Sequence, residues 1–141
     1  MTHRTVARIA LAYLGVVSAQ IGVWALLAPR SFFDGFPGMG MVWVGVDGPY
    51  NEHLVRDVGA LNLAFLALLV WTAVRMTPDL LRVTAFAGLV WGVPHAAYHV
   101  VNADVLSGTD AALSIGGLLL FVVLAAALWV AASRPAPGVG A

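Results

Sequence analysis

The chain contains no cysteine, no lysine and a single glutamate, and only 10% of its 141 residues are charged. Each scarcity excludes something. Without cysteine there is neither a disulfide framework nor thiol chemistry, and the redox compartment is not readable from the sequence. Seven arginines balance seven acids, so there is no basic face and no interleaving of basic and aromatic residues, which excludes a nucleic-acid partner. A small soluble domain cannot cover itself with so few charges when 61% of its residues are hydrophobic. Lipid removes that difficulty, because it accepts apolar side chains on the outside. A phosphate-binding glycine loop, a GxSxG elbow, CxxC, HExxH and any internal repeat are missing too.

What the chain does have is four long apolar runs. "IALAYLGVVSAQIGVWALLA" (Ile9–Ala28) is uncharged, as are Val83–Ala103 and Ala111–Ser133, and a fourth run ends at Val74. A hydrocarbon core of about 30 Å takes roughly 20 helical residues, and backbone groups in lipid must bond within their own helix. The expected fold is an all-α polytopic membrane protein, a four-transmembrane-helix antiparallel bundle. Its spans run about 9–28, 53–74, 83–103 and 111–133, with a long outer loop over 29–52. Residues 1–134 form this domain, and 135–141, rich in Pro and Gly, read as a disordered tail. "VSA" before Gln20 resembles a signal-peptide cleavage site, but the apolar run continues to Ala28, so the first span is expected to be retained.

Arg4, Arg8, Arg75, Arg82 and Arg134 share one side of alternating spans, leaving Arg30 and Arg56 on the other. The positive-inside rule then predicts a cell-membrane protein with both termini cytoplasmic. "TPDL" reads as a turn with Pro78 inside it, and Thr109 or Asp110 is placed to cap the fourth span. These short connections predict that spans 2 and 3, and spans 3 and 4, are neighbours. The first connection is long and apolar: Phe32, Phe33, Phe36, Met39, Met41, Trp43 and Tyr50 suit either an interfacial segment or a lid over the bundle mouth. Gly88, Gly92 and Ala96 form a small-residue stripe, suited to packing within the chain against span 2 or 4, or to homodimerisation.

Ionisable residues collect at one end. "NEHLVRD" puts Glu52, His53, Arg56 and Asp57 at the head of span 2, and "WGVPHAAYHVVN" puts His95, Tyr98, His99 and Asn102 near the end of span 3. His53 and Asp57, like His95 and His99, are four apart and share a helix face, and Glu52–Arg56 has the spacing of an ion pair. If spans 2 and 3 lie side by side, a rise of about 1.5 Å per residue puts Asp57 and His99 at one level, with His53 above and His95 below. Asn62 is deeper and is expected to point elsewhere. Charged groups inside a membrane are expensive and mark function by default.

Three readings of the cluster follow. In the first, His53, Asp57, His95 and His99 ligate a divalent transition metal such as zinc, iron or copper, with Trp91 and Asn102 as cofactor contacts. Quinone or haem ranks below a metal. In the second, the residues do metal-free acid–base chemistry of isomerase, cyclase or hydrolase type on a lipid or isoprenoid entering from the bilayer. A histidine moves the proton, a carboxylate orients it and Arg56 holds an anion. In the third, the chain is a non-catalytic accessory subunit of a membrane complex; that reading requires an accessible surface, where a catalytic cluster requires a cavity.

The order of parts, a first span ending in "LLAPRSFF", a long outer loop and three closely connected spans, resembles small bacterial four-helix membrane proteins of the DoxX-like kind. The resemblance implies a four-helix bundle and a respiratory or redox association, and it assigns no functional residue.

Overall fold

The computed structural model describes residues 2–133, so the tail and Arg134 lie outside the described residues. The elements are α1 (His3–Leu27), α2 (Pro29–Gly35), β1 (Pro37–Gly38), β2 (Met41–Val42), α3 (Glu52–Arg75), α4 (Pro78–Val101) and α5 (Gly108–Ala132), with a 3-10 turn over Ala103–Val105. Of these, α1, α3, α4 and α5 are each long and apolar enough to cross a membrane. Among the described residues the structure is helical apart from one minimal hairpin, and the four long apolar helices mark a membrane protein.

Helix ends follow local chemistry that hydropathy does not register. α1 starts well before Ile9 because Thr2 caps it, its hydroxyl accepting from the Thr5 N–H at 3.3 Å. Asn51 caps α3 in the same way, accepting from the Leu54 N–H at 3.2 Å. Met76, in the left-handed region, ends that helix. The turn that follows is tighter than "TPDL" suggests. Thr77 is the cap and Pro78 the first helical residue, where its missing N–H costs nothing. α5 begins after Ser107, whose side chain makes no capping bond, so neither Thr109 nor Asp110 is the cap.

Small residues decide which helices meet. Gly15 of α1 faces Leu66 of α3, Gly22 faces Leu63, and Gly59 of α3 sits against Leu26. The pairs run in opposite order along the two helices. A Cβ added at Gly59 would lie 2.5 Å from the Leu26 nitrogen, so the two backbones touch there. The stripe on α4 is likewise used within the chain: Gly88 packs on Ala125 and Gly92 on Phe121 and Val122 of α5. α1 and α5 also pack together, and Leu14, Leu69 and Leu128 are fully buried in the shared core.

One expected neighbour pair is in contact, but sparingly. α3 and α4 follow each other through a short turn, yet α3 packs chiefly on α1 and α4 on α5. A buried hydrogen bond of 2.7 Å between Thr72 and Thr84 links α3 and α4 close to their turn. Sequence adjacency limits how far apart two helices can be at the turn; close backbone approach selects where they pack.

The long connection has structure of its own. α2 leads into a hairpin in which Pro37 pairs with Val42 and Gly38 with Met41, and Gly38, Met39 and Gly40 turn the tip with positive φ. Its aromatic residues fold back onto the end of α1. Trp24 and Phe32 meet edge to face at 5.8 Å, Phe32 and Phe36 lie 4.8 Å apart, and Phe36 meets Trp43 at 6.0 Å. Trp24, Phe32 and Phe36 join Ala25 and Val55 in a second core over the junction of α1 and α3.

Candidate functional site

The head of α3 is a set of local pairs. Arg56 Nε donates to Glu52 Oε1 at 2.9 Å, and His53 Nε2 lies 3.4 Å from Asp57 Oδ2. All four side chains are exposed, His53 the most at 82%. Arg56 does more than pair: its Nη1 also donates to the Leu26 carbonyl. That carbonyl belongs to the last turn of α1, where acceptors lack helical partners and a cation suits the negative end of the helix. Gly59, one turn deeper, lets α1 approach closely enough for the bond. Glu52 and Arg56 therefore fasten α3 to α1. Beside them Tyr50 packs edge to face on Phe33 at 5.2 Å. Desolvation, then the Glu52 carboxylate, pushes its phenol above the ordinary tyrosine value.

On α4 a ladder of rings climbs from the middle of the helix to its end. Trp91 stacks on His95 at 4.7 Å, His95 meets His99 at 4.9 Å, and Tyr98 meets His99 at 5.6 Å. Helical turns of 3.6 residues put Trp91, His95, Tyr98 and Asn102 within about 60° of arc. Asn102 bonds its own helix, Nδ2 donating to the Tyr98 carbonyl at 2.8 Å.

Below His95 is a groove. It has a volume of about 210 Å³ and is lined by Leu61, Asn62 and Phe65 of α3, Ala87, Gly88 and Trp91 of α4, and Phe121 of α5. It exists because α3 and α4 are tied near their turn and diverge from there. Trp91 joins it to the ladder, being both a groove wall and the stacking partner of His95. Phe121 packs on Trp91 at 4.9 Å and on Phe65 at 6.1 Å.

Measured from the Thr72–Thr84 bond, Asp57 and His99 each lie fifteen residues up their helices, so the register does put them at one level. What differs from the sequence expectation is direction around the helix. Counted at about 100° per residue, Asp57 and His53 sit roughly 90° and 130° away from the groove-lining face of α3. They form one pair, and His95 with His99 forms another. Among the described residues no group of three or more His, Asp or Glu stands close enough to hold a metal ion, so the four-residue ligand set is not assembled in this arrangement. Asn62 lies on the other side of α3 from the His53–Asp57 pair and lines the α3–α4 groove.

Phe65, Phe121 and Asn62 belong to the groove by position, and sequence reasoning placed none of them there. Asn62 had a signal, as the one amide inside an otherwise apolar run. The others had none, since they are brought in by packing. Comparison with protein-family models, curated proteins and solved structures finds no match to this chain.

Proposed function

We propose that this is a multi-pass cell-membrane protein, an antiparallel four-helix bundle with both termini cytoplasmic. In this reading it binds a lipophilic small molecule between α3 and α4 and exchanges a proton with it at His95 and His99. One observation carries the proposal: Trp91, a wall of the groove it shares with Phe65 and Phe121, stacks on His95. Such a cleft is apolar below and polar above, which suits an amphiphile entering sideways from lipid. A neutral imidazole offers one donor and one acceptor and titrates nearest neutrality of all side chains. The residues present do not gather as a ligand shell, so the reading is of metal-free acid–base chemistry.

The test is photolabelling in lipid nanodiscs with a diazirine-bearing alkylbenzene, followed by peptide mapping. Labels should concentrate on 61–65 and 87–91 and be displaced by excess unlabelled alkylbenzene. Filling the groove with Ala87→Trp should abolish them. Labels spread evenly over every lipid-facing helix, and not displaced, would reject the reading.

The exposed head of α3 supports a second reading, in which an accessory subunit docks through Glu52, His53 and Asp57. The chain has no cysteine, so His53→Cys gives a unique thiol. A crosslinker on it should capture a discrete adduct in native membranes, and a complete lack of adducts counts against docking there.

A further inference from the structure

We infer that the ligand of the α3–α4 groove is a lipophilic phenol, whose hydroxyl donates a hydrogen bond to Asn62. The inference rests on the groove reading above and narrows it to one chemical class. The decisive detail is which way the Asn62 amide faces. Its Nδ2 lies 2.9 Å from the Val58 carbonyl oxygen. A carbonyl only accepts, so the hydrogen-bond partner assigns the amide atom beside it as the NH₂ group. Oδ1 then makes no side-chain hydrogen bond to the described residues, and the half-buried side chain leaves it accessible at the groove wall. An unpaired acceptor in a wall otherwise built of Leu61, Phe65, Ala87, Gly88, Trp91 and Phe121 is costly in lipid, where no water replaces the missing donor. A ligand that donates there removes the cost, and one that only accepts does not.

Size and lining specify the rest. A cavity of about 150 Å³ with apolar walls accommodates benzene, so a groove of about 210 Å³ takes one substituted ring. Three aromatic side chains converge on it, and aromatic pairs favour edge-to-face and offset contacts. The groove is open towards lipid, so an alkyl chain on the ring can leave sideways. A methyl ether or a quinone of the same shape fits equally well but brings only acceptors. Bound in this way, the phenol lies with its ring against Trp91, one turn below His95.

The experiment measures displacement of the diazirine-alkylbenzene label by 4-hexylphenol and by its methyl ether, 4-hexylanisole, each expressed as mole fraction in the lipid to cancel partitioning. The phenol should displace about tenfold more effectively than the ether, the factor that corresponds to one net hydrogen bond of about 1.4 kcal/mol. Asn62→Leu, nearly equal in shape, should bring the two probes to within about twofold by removing that bond while keeping the groove apolar. Asn62→Ala repeats the comparison with more space, should leucine block the groove. Equal displacement by phenol and ether in the parent protein, or a tenfold preference retained in both variants, overturns the phenol assignment and leaves the groove reading intact. Displacement by neither probe overturns both.

Discussion

The two sides of α3 are built on opposite principles. Towards α1, backbone meets backbone: Gly59 lies on Leu26, Gly22 on Leu63, and Arg56 ties the Leu26 carbonyl to Glu52. Towards α4, its neighbour in the chain, a threonine pair near the turn is followed by a groove walled with large rings. In lipid no hydrophobic force separates helix–helix from helix–lipid contact, so close packing by small residues and a few interhelical hydrogen bonds decide association. Glycine on the α1 side gives a seam. Phe65 and Trp91 on the other side hold the helices apart and leave room for a ligand. Glu52 and Arg56 at the top of α3 belong to the seam, and Trp91 of α4, with His95 stacked on it, to the groove.

The seam should break most dramatically at Gly59. Gly59→Ala puts a methyl group against the Leu26 backbone, which cannot move aside as a side-chain tip would. A loss of about 3 kcal/mol, the upper end of overpacking costs, should appear in denaturant or thermal unfolding in detergent. Gly116→Ala on α5, where an added Cβ meets nothing within 4 Å, is the control. It should be neutral or stabilising by up to about 1 kcal/mol through helix propensity. Equal behaviour of the two variants would remove the claim that the seam is set by backbone contact.

Next in size is the tie between α3 and α4. Thr72→Val leaves the buried Thr84 hydroxyl without its partner and should cost about 1–2 kcal/mol. The double change Thr72→Val with Thr84→Val should recover most of that loss, because no polar group is then stranded. A double-mutant cycle reads the coupling, and additive losses would show that the two hydroxyls do not act together.

The smallest expected effect lies at the head of the seam. Arg56→Ala should destabilise by about 1 kcal/mol, a charged hydrogen bond to the α1 carbonyl discounted for exposure. Arg30→Ala, which loses an exposed pair with Asp34 and a cation–π contact with Tyr50, should cost about half as much. Matching losses would mean that the Leu26 contact adds nothing beyond an ordinary surface pair.

Much of this molecule is written along the chain in one dimension. Charge scarcity and apolar length determined that it is a helical membrane protein with four spans. Asn51 and Thr77 marked helix starts, and the i,i+4 spacings marked which side chains share a face. Even the level of Asp57 against His99 follows from residue counting, once α3 and α4 are joined by a tight turn. The direction in which each face turns was not legible, because it depends on which helices reach backbone contact, and Gly59 and Leu26 are far apart in sequence. That choice sends Glu52 and Arg56 to α1, turns His53 and Asp57 away from His95, and opens a groove on Asn62. Rise along a helix is a local property of the backbone; rotation about its axis is decided by its neighbours.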